Sequence, residues 1–404
     1  MASSLVLVHD NVGGDYMPKQ INVGMVGYKF MGKAHSNAWH SAPKFFDLAA
    51  EPVMKAICGR TERNVKEMAD KWGWESYETS YKKLVAREDI DLIDITTPNN
   101  AHKDVAIAAA KAGKHVSCEK PLAMNVSEAL EMVKVVKKAG VKHMIWQNYR
   151  RVPAIALAKQ IIEEGRIGQV YHIRAVYLQD WIMDPNFPLA WRLRKGVAGT
   201  GAHGDLNAHI IDLARYLVGE FAEVVGMKET FVKERPLELE GGSLVAGKAS
   251  KKKSRVTVDD ATLFLARFVN GAVGTFEATR FANGRRNGQR LEINGSKGSL
   301  VFELERMNEL QLFSSTDAEH LQGFKLINVT EACHPYMSAY WPVGHIIGWE
   351  HTFINGVTDF VNAIAKKKSV KPDFIDGLRN QEVLDAVVKS CSERKWIKVT
   401  KHKV

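Results

Sequence analysis

Cysteine is scarce in this chain, and long apolar runs are missing. Four cysteines, Cys58, Cys118, Cys333 and Cys391, are spread over 404 residues, which excludes the close pairs of a disulfide framework or a zinc ribbon. Cys58 and Cys118 end short apolar runs, so free thiols in a reducing, cytoplasmic compartment are expected. No stretch approaches the roughly 18 apolar residues of a membrane span, and MASSLVLVHD has no basic start before its brief apolar segment. Residues 1–19 therefore read as a loose tail, with no membrane partner expected. Acidic charge is also in deficit, at 46 Asp and Glu against 56 Lys and Arg. The excess lies in KKKSR (Lys251–Arg255), in the terminal KWIKVTKHKV and in scattered helix-surface lysines. No module for reading bases accompanies it, so a solvated basic surface is expected and a nucleic-acid partner is not.

What is present is a rhythm. Between residues 20 and 149, INVGMV, VMKAIC, DLIDIT, HVSCE and VKHMIWQ alternate with amphipathic stretches, the pattern of a parallel sheet with helices on both faces. Residues 150–404 change character. Helical AIALAKQIIEEG leads to VYHIRAVYLQDW, and a second helix is expected near NAHIIDLARYLVG. Six strand-like runs then follow from 221 to about 330, with an Asn270-Gly271 hairpin signal among them. GGSLVAGKASKKKSR reads as a mobile basic loop interrupting that sheet. Two helices, about 346–366 and 375–393, finish the chain and are expected to pack back toward the first domain. The fold class is thus α/β: a Rossmann-type dinucleotide domain, then an α+β domain with a large, mainly antiparallel open sheet.

The dinucleotide fingerprint itself lacks its middle glycine. In GYKFMGKAH, Lys29 stands between Gly27 and Gly32, yet the stretch joins a strand to a helix, as the fingerprint requires. Gly27 permits the tight turn, Gly32 lets the helix approach the strand, and the helix start faces an anion. Lys29 is tolerated if its stem points outward, with its ammonium near phosphate. Without a ligand, this is an ordinary strand-to-helix turn. The second strand end also lacks the usual ribose-binding acid and offers Gly59, Arg60 and Thr61 instead. Arg60 suits a 2′-phosphate or stacks on adenine, so NAD and NADP both stay open. Other strand ends read Thr96-Thr97-Pro98-Asn99, Glu119-Lys120-Pro121 and Gln147-Asn148-Tyr149-Arg150, polar groups suited to a crevice.

The turn ending in GKAH, with TPNNAH, CEKPLA and GTGAHGDLNAHIIDLARYLVG, resembles the Gfo/Idh/MocA family of oxidoreductases over about residues 20–395. QNYRRVPA, YLQDW, PLAWR and FEATRFANGRRN are most similar to its levoglucosan dehydrogenase type. The resemblance implies hydride transfer between NAD or NADP and a secondary alcohol of a cyclic sugar, anhydrosugar, glycoside or inositol, in a homodimer or homotetramer. Cofactor contacts are then expected at Gly27, Lys29, Phe30, Met31, Gly32, Gly59, Arg60, Thr97, Pro98, Asn99, His102, Glu119, Lys120 and Asn148. It further implies Lys120, Asp205 and His209 as the catalytic group.

The chemistry of those residues agrees. Alcohol oxidation needs a base for the hydroxyl proton, a task that suits histidine. Asp205 and His209 are four apart, so on a helix the carboxylate would orient the imidazole. Lys120 would support alkoxide charge; whether it or His209 takes the proton stays open. Substrate contacts are expected from Lys120, Asp205 and His209 together with Tyr149, Gln179, Trp181, Trp191 and Arg192, although each tryptophan serves equally as packing. HPYMSAYWPVGHIIGWEH lines the pocket or shapes a subunit contact. Asn207, replacing the family's small glycine, would narrow the pocket or touch substrate. His203-Asp205-His209 has no standard zinc spacing, so no metal is expected. A redox-assisted glycosidase and a non-catalytic sugar sensor are the competing readings; retention of Lys120, Asp205 and His209 weighs against the sensor.

Overall fold

A computed structural model describes residues 19–240 and 248–404. Residues 1–18 of the expected tail and GGSLVAG at 241–247 lie outside the described residues. In the first half, β1 (Gln20–Val26), β2 (Glu51–Cys58), β3 (Ser76–Glu78), β4 (Leu92–Ile95), β5 (His115–Glu119) and β6 (His143–Trp146) form one sheet. Its order is β3-β2-β1-β4-β5-β6, with every pair parallel. The strands are apolar on both sides because helices cover both faces: α1 (Phe30–Phe45), α2 (Glu62–Trp72), α3 (Tyr81–Ala86), α4 (His102–Lys111) and α5 (Val126–Ala139). The strand order reverses between β1 and β4, which opens a crevice at their carboxyl ends. In this half, β3 and α3 were not legible in the sequence, being three and six residues long.

The second half runs through α6 (Pro153–Glu163), β7 (Val170–Leu178), α7 (Lys195–Ala198) and α8 (Ala208–Leu217). The strands β8 (Phe221–Glu229), β9 (Glu234–Glu240), β10 (Lys248–Arg255), β11 (Ala261–Phe268), β12 (Val273–Thr279), β13 (Gly288–Gly295), β14 (Gly298–Glu303), β15 (Glu309–Ser314) and β16 (Lys325–Asn328) follow. The chain finishes with α9 (His351–Ala365), α10 (Phe374–Glu393) and β17 (Ile397–Lys398). Nine strands form the large sheet, ordered β16-β15-β14-β13-β7-β12-β11-β8-β17. All its pairs are antiparallel except β7 with β12. Alternation along β11 shows why: Phe264, Ala266 and Phe268 are buried, whereas Leu263, Leu265 and Arg267 face outward. The inner face shares one core with residues of α6, α8 and α10.

One expectation is corrected. The basic stretch Lys248–Arg255 is strand β10, paired antiparallel with β9 in a separate two-stranded arm. Lysine-rich composition reads as loop, but here the main chain pairs while the side chains of residues 251–255 stay exposed. Arg235 of β9 is completely buried and donates to the carbonyls of Ile182 (2.6 Å) and Asp184 (2.7 Å). That pins the arm to the loop after β7. The last helices return to the first sheet, where Phe353 and Phe360 of α9 share a core with Trp39 and Trp146. Phe374 and Leu378 of α10 join Leu122 and Ile145 in another.

Candidate active site

A dinucleotide fits the crevice edge at α1. Gly27 has φ +117°, and a Cβ there would run into Thr96, so only glycine takes this turn without strain. A Cβ on Gly32 would lie 2.6 Å from the Gly27 carbonyl oxygen. The first-turn amides of α1 lack intrahelical acceptors and mark an anion site. Lys29 occupies the N-cap and is exposed. Phe30 stacks on Trp349 at 5.6 Å, while Met31 packs on the core beneath. At the end of β2, a side chain on Gly59 would meet the Tyr28 ring, and Arg60 is exposed. Pro98 begins a short turn at the end of β4.

Across the crevice lies a charged cluster. A widened π-turn, His203–Asn207, precedes α8 and turns the Asp205 carboxylate toward the first domain. Lys120 Nζ donates to Asp205 Oδ1 (2.7 Å) and to its carbonyl (2.8 Å). Arg280 Nη2 donates to Oδ2 (2.7 Å), and Arg192 stands 3.7 Å from the same oxygen. Burial opposes ionisation of Asp205, but Lys120, Arg280 and Arg192 hold its carboxyl well below the usual carboxylate range. The expected Asp205–His209 orientation is therefore corrected: the π-turn commits the carboxylate to these cations. His209 instead lies against Tyr149, with ring centroids 4.6 Å apart. Burial, reinforced by Lys120 and opposed by Asp205, pushes His209 well below the usual histidine value. Its imidazole is neutral near pH 7 and able to accept a proton.

One wall carries a polar ladder. Tyr149 Oη lies 2.9 Å from Tyr177 Oη, and Tyr177 donates to Asn287 Oδ1 (2.8 Å). Gln179 donates to the same Asn287 oxygen (2.9 Å) and accepts from Trp181 Nε1 (3.0 Å). Arg280 lies over the Trp181 ring and Arg192 over Trp191. The late aromatic segment reaches the crevice edge through Trp349, which stacks on Phe30, whereas Trp341, Val343 and Ile346 are exposed.

Other expected contacts turn to protein partners. Asn99 donates to the Ala198 carbonyl, and Asn148 donates to Thr352 Oγ1. His102 is completely buried between the carbonyls of Pro121 and Thr97. Glu119 faces His35 and the Lys120 amide. Asn207 is fully buried, donating to His203 Nδ1 and the Thr262 carbonyl; it does not narrow the pocket. His203 faces the Leu384 carbonyl, so the His203-Asp205-His209 grouping does not assemble. Sequence reasoning missed Tyr28, Tyr177, Arg280 and Asn287 as candidate site residues, while Trp349 falls in the late aromatic segment it had set beside the pocket. Thr97 Oγ1, Gln147 Oε1, His209 Nδ1 and one or more guanidinium nitrogens of Arg192 and Arg280 are buried without a partner among the described residues. Orphaned polar atoms are rare in protein interiors, and those at the crevice are donors and acceptors open to a ligand.

Comparison with known proteins agrees. Residues 21–147 match the oxidoreductase family with an NAD-binding Rossmann fold, and residues 155–301 match the GFO/IDH/MocA C-terminal domain. Levoglucosan dehydrogenase of Pseudarthrobacter phenanthrenivorans is 44% identical over 94% of this chain and 98% of that protein. The crystal structure of an oxidoreductase domain protein from Kribbella flavida superposes with TM-score 0.90 at 49% identity, covering 95% of this chain and 100% of that one. Levoglucosan dehydrogenase in complex with NADH and levoglucosan superposes with TM-score 0.90 at 44% identity, over the same shares. With the glycine turn, the strand-end crevice and the Lys120–Asp205 cluster in place, this chain belongs to the Gfo/Idh/MocA family as an NAD-dependent oxidoreductase of the sugar dehydrogenase type.

Proposed function

We propose that the enzyme oxidises a secondary alcohol of a cyclic sugar, with anhydrosugars such as levoglucosan as the preferred class. The observation that carries this reading is one crevice cluster: Lys120 donates to Asp205 (2.7 Å), and His209, whose Nδ1 has no partner among the described residues, lies beside them against Tyr149. When bound, the nicotinamide supplies the hydride acceptor. The chain's own residues manage the proton: His209 accepts it from the substrate hydroxyl. Lys120 spends two of its three N–H donors on Asp205, which leaves one for the developing alkoxide. The Tyr149–Tyr177–Asn287–Gln179 ladder offers directional partners for ring hydroxyls, and Trp181 offers an apolar face. The resemblance to a dehydrogenase that binds levoglucosan supports the substrate class.

Nicotinamide absorbance, followed with NAD and with NADP against levoglucosan, other anhydrosugars, hexoses, glycosides and inositols, tests this. Reduction is expected with cyclic sugars and strongest with an anhydrosugar. No turnover with any of them would sink the proposal, and glycoside cleavage without net NADH would replace it with redox-assisted elimination.

A homo-oligomer is proposed on the outer face of the large sheet. Met227, Leu263, Leu265 and Val273 are exposed there, around a shallow depression of about 500 Å³. This apolar patch lies away from the crevice and suits a second copy of the chain. Leu265→Glu is expected to shift sedimentation to the monomer; an unchanged oligomer would place the interface elsewhere. A cytoplasmic setting is proposed from the free thiols, of which Cys58 and Cys118 are buried. Among the described residues, no helix is long and apolar enough to cross a membrane.

A further inference from the structure

Behind the crevice, at full burial, sits a histidine between two carboxylates. His35 belongs to α1, one turn beyond Gly32, and has no exposed surface. Its Nδ1 lies 2.8 Å from Asp94 Oδ2 and its Nε2 lies 3.0 Å from Glu119 Oε1. A carboxylate oxygen at hydrogen-bond distance from each ring nitrogen suits a ring that donates from both, as an imidazolium does. Asp94 is saturated: it also accepts from Trp39 (2.8 Å), Ser117 (2.7 Å) and Trp146 (2.9 Å). It ties α1, β4, β5 and β6 at one point. Glu119 has one remaining oxygen, and this accepts the backbone N–H of Lys120 (3.1 Å). Lys120 in turn reaches Asp205. The series Asp94, His35, Glu119, Lys120 thus links the helix bearing the cofactor turn to the lysine facing the substrate.

We infer that His35 is a positioning residue: its imidazolium fixes the Glu119 carboxylate and thereby registers Lys120 against α1. This rests on the proposed role of Lys120. Asp94 on β4 and Glu119 on β5 are the charged groups facing the ring. The other side chains packed on it, Trp146 of β6 and Phe353 of α9, do not titrate. A neutral ring could donate to only one carboxylate and would release the other. Burial pulls the His35 pKa down, but Asp94 and Glu119 more than offset it, and the value rises to about 9. The folded value therefore exceeds the ordinary 6.5. The resulting stabilisation is complete below the unfolded value and is lost as pH rises through the folded one.

His35→Gln is expected to lower kcat about 10- to 100-fold, the scale of a misplaced catalytic group, with sugar KM and NAD affinity changed less than about threefold. Glu119→Gln, which keeps the His35–Asp94 contact but replaces the oxygen facing the Lys120 amide, is expected to fall in the same direction. The double variant should be no slower than His35→Gln alone, since coupled groups are not additive. Additive losses, or wild-type kcat in His35→Gln, would overturn the inference. In the wild-type enzyme, nitrogen NMR of the histidines should show both His35 ring nitrogens protonated at pH 8, and a neutral ring would be fatal even if His35→Gln failed to fold. Lys120→Ala separates the two claims. If it retains turnover, the lysine role fails; if it is inactive while His35→Gln is wild type, only the positioning role fails.

Discussion

Lys120→Ala should reduce kcat by about 10³-fold or more while leaving NAD affinity within a few-fold. The change removes the N–H donor proposed for the alkoxide, a loss worth roughly 10²- to 10³-fold for a single oxyanion donor. It also frees Asp205, which loses its two bonds from Nζ and keeps Arg280 and Arg192. The pH profile carries a second, sharper signature. Lys120 is one of the causes that hold His209 low, second to burial, so its removal raises the His209 pKa. A base must be neutral to work, hence kcat/KM rises with pH through that value. The rising limb of Lys120→Ala should therefore stand at higher pH than in the wild type. Residual activity with the limb unmoved would show that Lys120 and His209 are not electrostatically linked. Lys120→Arg keeps the charge but spreads it over a planar fork, and is expected to recover only a small part of the rate.

How far the sequence carried this reading depended on whether a feature is local. The turn at Gly27 was legible because strand, turn and helix are contiguous, and so were the polar strand ends of the parallel sheet. Their ends share one crevice by topology, without any side-chain detail. The pairing of Asp205 was not legible. Four-residue spacing pointed its carboxylate at His209, but the π-turn at His203–Asn207 breaks the helical face. Its real partner Arg280 ends an ordinary strand sequence, FEATR, and nothing nearby marks it as catalytic. Tyr177 likewise reads as an inward strand residue and becomes a site residue only because Asn287 arrives from another strand's approach. The lysines of β10 misled by composition, since pairing satisfies the main chain whatever the side chains carry. His35 was visible in GKAH, yet its partners Asp94 and Glu119 lie 59 and 84 residues away.

Asp205→Asn is the counterpart of the lysine variant, and its effects run the other way at His209. Asp205 is the shared anion of Lys120, Arg192 and Arg280. Neutralising it leaves those cations facing one another in a crevice. Breaking a buried ion pair from one side costs about 3–5 kcal/mol. Here a quarter of the Asp205 side chain is open to the crevice, so water screens the repulsion and about 2 kcal/mol is the expected loss. That corresponds to a fall in melting temperature of roughly 2–3 °C for a chain of 404 residues. Formate or acetate, supplying a small carboxylate to the cluster, should restore part of the melting temperature. Turnover should drop by about 10²-fold or more, since the ammonium of Lys120 loses its ionised acceptor and keeps only neutral ones, the residue-205 carbonyl among them, and misplacement of a reacting group is costly. Asp205 is the one cause that raises His209, so without it the imidazole pKa falls further. The rising limb of kcat/KM then moves to lower pH, opposite to Lys120→Ala. Opposite displacements in the two variants follow from a neutral His209 base between a cation and an anion. If both limbs move the same way, His209 is not the proton acceptor.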